Sequence, residues 1–225
     1  MSNLTIYHGS SEIIKTPEYR KGTVYNDYGQ GFYCTEHIEL AKEWACTENT
    51  DGFVNKYEID ISSLNILNLS SEEYTILHWL ALLMNNRKVR LSTPIMKKGA
   101  QWLYENFLPD ITGYDVIIGY RADDSYFSFA RAFVNNEISL KQLSYAMRLG
   151  NLSEQFVLKS RKAFDCINFT SYEPADSTIY YTLRKARDEE ARNAFFAELE
   201  NDDADGIFMR DITREEIKPD DLRLR

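Results

Sequence analysis

The sequence predicts an α+β fold with a C-terminal helical extension, and three observations lead there. Phe53-Val54-Asn55-Lys56-Tyr57-Glu58-Ile59-Asp60-Ile61 alternates with the two-residue period of a half-buried strand, and Tyr114 to Tyr120 is a continuous buried-strand run. Fifteen Tyr and twelve Phe favour strands and pockets over a plain helical bundle. After Pro174 the character changes: Thr178 to Leu199 is a charge-rich amphipathic helix carrying Ile179, Leu183, Ala186, Ala194 and Phe195 near one face. Residues 1–170 read as one domain and 171–225 as its helical extension.

Leu4 to Tyr7 predicts a first strand, ending at His8-Gly9-Ser10, and residues 11–26 are irregular. The stretch Asp27 to Ala45, DYGQGFYCTEHIELAKEWA, is the organising one: a glycine turn, a short strand Gly31–Cys34, then a helix that Thr35 can cap. Gly29 and Gly31 allow close backbone approach, and Ile38, Ala41 and Ala45 lie along one helical face. Leu64 to Leu69 predicts a short strand, and Ser71-Glu72-Glu73 a helix start with Tyr74, Leu77, Leu80, Leu83 and Met84 on its apolar side. His78 inside that helix reads as a packing or surface residue. Helices are expected at Gly99–Phe107, 125–134 and 139–148, the last capped by Ser139. Glu154 to Ser160 predicts a strand, Arg161 to Phe164 a short helix or turn, and Cys166 to Phe169 the last strand. The tail from Asn201 is acidic, then mixed, and is expected to fold only against something else.

Composition narrows the function. Hydrophobic residues make up 44% of the chain, enough for a sizeable core. A net charge of −9, from 35 acids against 26 bases, argues against broad binding to phosphate backbones. The one basic run, Arg87-Lys88-Val89-Arg90 with Lys97-Lys98, reads as a solvated helix end. No apolar run approaches the ~18 residues of a membrane span, and the first residues carry no export signal. Cys34, Cys46 and Cys166 are odd in number and lack metal spacing, which fits a reducing cytoplasm. No metal site, Walker loop or nucleophile elbow is present in the sequence pattern.

Three features carry candidate chemistry. His8-Gly9-Ser10 ends a strand, where a histidine can donate to a ribose hydroxyl and a glycine backbone can meet a carboxamide. Tyr33 and Trp44 offer surfaces for a flat heterocycle, with core packing as the alternative for each. Glu154-Gln155 enters a late strand with groups able to bond a ribose. The order HGS, DYGQGFYCT, ELAKEWA, YDVIIGYRADD and EQFVLKSRKAF resembles the ADP-ribosyltransferase superfamily, nearest its diphtheria-toxin and poly(ADP-ribose) polymerase branch. Within it the chain resembles a bacterial family, domain of unknown function 3990, over roughly residues 4–169.

The resemblance implies a split β-sheet core that binds NAD as substrate. His8 would hold a ribose hydroxyl, Gly9 the nicotinamide amide, Ser10 the turn, and Gly31 the glycine motif before Tyr33. Tyr33 and Trp44 would line the nicotinamide ring, Trp44 standing eleven positions on where the family has a tyrosine. A family glutamate would bond the ribose 2′-hydroxyl from the third motif, where this chain offers Glu154 beside Gln155. Neighbours on a strand face opposite ways, so one of the two serves the pocket; spacing favours Gln155. Asp123 and Asp124 resemble a family signature without an assigned role. The implied activity is a cytoplasmic, NAD-dependent mono-ADP-ribosyltransferase acting on an unnamed protein or nucleic acid, by analogy a toxin–antitoxin or phage-defence effector with an antitoxin partner and no membrane association. The alternative is a catalytically weak module that binds a nucleotide or a partner, which Gln155 in place of glutamate supports; the helix 178–199 is a candidate partner arm.

Overall fold

A computed structural model describes residues 3–122, 124–148, 154–200 and 203–224, without the side chains of 124–126. Its architecture is α+β, with two sheets and helices packed around them. Strands β1 (Asn3–Ser10), β3 (Gly52–Asp60) and β7 (Ile167–Ala175) form an antiparallel sheet in the order β1-β3-β7. The second sheet has the order β2-β6-β5-β4, from β2 (Phe32–Cys34), β4 (Ile66–Asn68), β5 (Val116–Tyr120) and β6 (Glu154–Leu158), with only the β4–β5 pair parallel. Tyr7 and Thr35 exchange backbone hydrogen bonds of 2.7 and 2.9 Å and so tie the edge of the first sheet to the end of β2.

Strand alternation divides the core in two. Val116, Phe156 and Leu158 of the second sheet meet Ile6, Tyr57 and Ile59 of the first. Ile117 and Val157, one residue out of step, join the helical core instead. There α2 (Ile76–Asn86) buries every residue from Leu77 to Met84, not only the predicted apolar face. A helix apolar all round is one enclosed all round, here by the sheet, by α3 (Pro94–Asn106) and by α4 (Asp124–Val134).

Several boundaries shift from expectation for local reasons. Thr35 does not cap α1 (Ile38–Ala45): its backbone is spent on the bridge to Tyr7, its hydroxyl accepts from the His37 amide, and His37 is the N-cap. Helix α2 starts at Ile76, not near Ser71, because Thr75 is the N-cap and His78 Nδ1 accepts the Thr75 N–H at 3.0 Å. His78 is thus a buried capping residue, 8% exposed. Helix α3 begins earlier than expected, at Pro94, which fits the first helical turn where no N–H is needed. Helix α5 (Leu140–Ala146) starts after Ser139 as predicted. Strand β7 runs on to Ala175, past the expected Phe169, because β3 offers pairing partners to Gly52.

The C-terminal segments pack onto the same layers. Helix α6 (Arg161–Asp165) precedes β7, and α7 (Ser177–Leu199) follows it. Arg187 of α7 pairs with buried Glu43 of α1 at 2.7 Å, and Phe195 packs at a tilt against Phe129 of α4 with ring centres 4.1 Å apart. Met209 and Ile212 of α8 (Met209–Arg214), with Ile217 and Leu224, are buried in the helical core. Among the described residues, no helix is long and apolar enough to cross a membrane.

Candidate functional site

Where the two sheets and α1 converge, a cleft of about 160 Å³ is lined by His8, Gly9, Asn26, Asp27, Tyr33, Trp44, Arg87, Arg121, Ala122 and Gln155. Five sequence-selected residues (His8, Gly9, Tyr33, Trp44 and Gln155) therefore meet in one place. They come from β1, β2, α1 and β6.

Each is placed by its element. β1 is an edge strand, paired with β3 on one side. Tyr7 turns its N–H and C=O away from β3, toward Thr35. Backbone groups of alternate residues share an edge, so Gly9 turns its N–H and C=O the same way, beside the cleft. A Cβ on Gly9 would lie 2.0 Å from the Ala41 carbonyl oxygen, so glycine is what lets α1, and Trp44 on it, sit so close to β1.

His8 stacks on Phe32, with ring centres 4.3 Å apart, and its Nδ1 lies 2.6 Å from the Tyr33 carbonyl oxygen. A carbonyl only accepts, so Nδ1 carries the proton. Burial lowers the pKa of His8, against a smaller upward pull from that bond. The neutral ring thus presents Nε2 as an acceptor, not the donor expected from the sequence.

The Tyr33 hydroxyl donates to the Gly29 carbonyl at 2.6 Å and accepts the Tyr28 amide at 3.0 Å. Burial pushes its pKa well above the ordinary value. This phenol closes the glycine turn, whose Gly29 has φ +72°, while its ring faces the cleft. Trp44 carries the Arg121 guanidinium over its ring, 3.7 Å from the centroid.

Gln155 shares its side of β6 with Val157, so it looks into the cleft and is 5% exposed. Its Nε2 lies 3.5 Å from Asp27 Oδ2. Its Oε1 is buried with no hydrogen-bond partner. A buried acceptor left unpaired costs about 1–3 kcal/mol, and such an atom in a cleft marks where a ligand donor fits. Glu154 faces a different hollow of about 280 Å³ with Glu36, His37, Ile118 and Phe156, which Gln155 also borders.

Sequence reasoning missed Asp27, Arg87 and Arg121 as site residues. Asp27 is 1% exposed and accepts from Arg87 Nε at 2.6 Å and from the Ala122 amide at 2.9 Å. Arg87 also donates to the Ala122 carbonyl at 2.6 Å. It is the C-cap of α2, at a helix end as expected, yet it is turned inward to an ion pair and not into solvent. Burial raises the pKa of Asp27, with Arg87 and the Ala122 amide pulling the other way.

Ser10 and Gly31 lie outside this cleft. Ser10 Oγ accepts the Glu12 amide at 3.2 Å. Gly31 lines a neighbouring cleft of about 330 Å³ with Arg20, Gln30 and Lys159. Lys159 Nζ donates to the Tyr28 and Gln30 carbonyls at 2.5 and 2.6 Å, and burial lowers its pKa to about 8. Asp123 and the side chain of Asp124 lie outside the described residues. Among the described residues, no group of three or more His, Cys, Asp or Glu is placed to hold a metal ion.

No curated protein and no solved structure matches the chain. A family model does, over residues 4–169, which run from Leu4 in β1 through β6 and take in every described residue that lines the cleft; the chain belongs to that family, described as "Protein of unknown function (DUF3990)".

Proposed function

We propose that the chain is an NAD-dependent mono-ADP-ribosyltransferase with a split-sheet core of that superfamily's type, acting on a macromolecule. One observation carries the reading: His8, Gly9, Tyr33, Trp44 and Gln155 line one cleft, and Gln155 Oε1 is buried there without a partner. The polar groups match the nicotinamide–ribose end of NAD. A primary carboxamide offers N–H donors and a carbonyl acceptor, which the free-edge C=O and N–H of Gly9 complement. The Trp44 face already carries a flat cation, the Arg121 guanidinium, and the pyridinium ring of NAD is another. Ribose hydroxyls can donate to His8 Nε2 and Gln155 Oε1. At about 160 Å³ the cleft is smaller than the roughly 300–1,000 Å³ of pockets for drug-sized ligands, so it suits that end and not the whole dinucleotide.

In the reaction, the bond between ribose C1′ and the nicotinamide nitrogen breaks and the electron pair leaves with nicotinamide. A nucleophile of the acceptor bonds C1′ and loses its proton. The chain's contribution is positioning and electrostatic support of the ribose as positive charge grows on it. Gln155 accepts a hydroxyl hydrogen bond in this role without bringing a charge of its own.

A second reading follows from the same residue. The carboxylate of Glu154 faces another hollow, which favours a module that binds NAD or a related nucleotide without cleaving it. Nicotinamide release from NAD by the purified protein separates the two. The transferase reading predicts release by the wild type, slowed at least about tenfold in His8→Ala and Gln155→Ala, and label from adenine-radiolabelled NAD on an acceptor in cell extract. Binding without release makes the chain a module; a folded protein with neither overturns both.

A further inference from the structure

The side-chain amide of Gln155 has two ends of nearly the same shape and opposite hydrogen-bonding sense. Which end meets the ligand is decided by what holds the other. The Gln155 amide lies against Asp27, whose carboxylate oxygen Oδ2 is 3.5 Å from Nε2. An ionised carboxylate only accepts, so the NH₂ end faces it, and Oε1, at the other end of a side chain that lines the cleft, is buried and unpartnered. Asp27 is itself held fast. Arg87 Nε takes Oδ1 at 2.6 Å, the Ala122 amide takes Oδ2 at 2.9 Å, and Arg87 is pinned in turn to the Ala122 carbonyl. Asn86 Nδ2 donates to the Asp27 carbonyl at 3.2 Å and fixes the backbone.

We propose that Asp27 is the positioning residue of this cleft: it holds the Gln155 amide with Oε1 as an acceptor toward the ligand, so the ligand group bound there is a hydroxyl or N–H donor. The ligand's being NAD rests on the functional reading above; the orientation does not. The pair also accounts for glutamine at position 155. A glutamate there would set two carboxylates within about 3.5 Å of one another, which raises the cost of ionising either. The negative charge of this site stands at position 27, and Gln155 is its neutral complement.

The test compares the full-length wild type with Asp27→Asn, Gln155→Glu and Asp27→Asn/Gln155→Glu. The first readout is the Gln155 side-chain amide pair in ¹⁵N–¹H spectra, assigned by its loss in Gln155→Glu. The proposal predicts two distinct, exchange-protected amide protons in the wild type and faster exchange in Asp27→Asn, because asparagine can meet the amide from either end. Unchanged signals in Asp27→Asn overturn it. The second readout is thermal unfolding. Gln155→Glu should lower Tm by at least about 2 °C more in the wild-type background than in Asp27→Asn, where the new carboxylate meets an amide. Equal shifts in both backgrounds overturn the pairing. The third readout is NAD turnover: Asp27→Asn should cut kcat for nicotinamide release at least about tenfold, with Asp27→Glu recovering part of it. If the first two results appear and NAD is neither bound nor cleaved by the wild type, the orientation stands and the NAD reading falls.

Discussion

His8 and Gln155 carry the account at the scale of single residues, and both act as neutral acceptors. Gln155→Ala removes the buried Oε1 and should lower kcat/KM for NAD about 10- to 100-fold, the equivalent of about 1–3 kcal/mol. His8 makes the site pH-sensitive. Burial lowers its pKa below the ordinary 6.5, so Nε2 can accept at and above that pH and loses this capacity as pH falls through the lowered pKa. NAD affinity should therefore be flat above about pH 6.5 and decline in acid. A titration of affinity against pH checks this, and His8→Asn should flatten it.

These two residues were legible because their positions follow motifs with a fixed order along the chain. Strand parity said that one of Glu154 and Gln155 faces the pocket and left the choice open; in the structure Gln155, on the same side of β6 as Val157, lines the cleft. The Asp27–Arg87–Ala122 cluster was not legible. Its members lie 60 and 95 positions apart and meet only because the end of α2 reaches the glycine turn. Arg87 sits in a basic run, and nothing local separates an inward arginine from its solvated neighbours. The one available hint was Asp27 opening the glycine stretch directly before Tyr28 and Gly29.

At the scale of elements, the site depends on α1 lying tight on β1 and on a well-ended α2. Gly9→Ala would drive a Cβ to 2.0 Å from the Ala41 carbonyl oxygen and 2.7 Å from the Ala45 amide nitrogen, both backbone atoms of α1. Relief requires α1 to shift, so the variant should lose at least about 1–3 kcal/mol in denaturant unfolding and move Trp44 as well. His78 caps α2 as a neutral ring, because Nδ1 must be unprotonated to accept the Thr75 N–H. Burial lowers its pKa too. The sign is that of His8: the cap's stability is present above pH 6.5 and lost as pH falls through the folded pKa. His78→Ala should cost about 1 kcal/mol at neutral pH and remove part of the acid sensitivity of Tm. Strand positions were well read from alternation in β3 and apolar runs in β5. Helix starts were not, because a histidine cap at Thr75–His78 has no consensus signal, whereas Ser71-Glu72-Glu73 looks like one.

At the scale of the molecule, the C-terminal segments bear on the same core as the site. Met209, Ile212 and Ile217 are buried among the residues that hold α2 and α3. Met209→Ala should cost about 2–5 kcal/mol, as other large-to-small core changes do. Ending the chain after Glu200 would uncover that patch, and the shortened protein should unfold at lower temperature or bind apolar dyes. This packing was hidden in the sequence because the segment's apolar residues are few and widely spaced among charges; its partners lie more than 60 positions away.

Calorimetric titration of NAD into the full-length wild type and into Gln155→Ala tests the central claim most directly. Saturable 1:1 binding by the wild type, weakened about tenfold or more in Gln155→Ala with an unchanged far-ultraviolet spectrum, is the result the account predicts. Equal binding by both proteins, or no heat from a folded wild type, would contradict it.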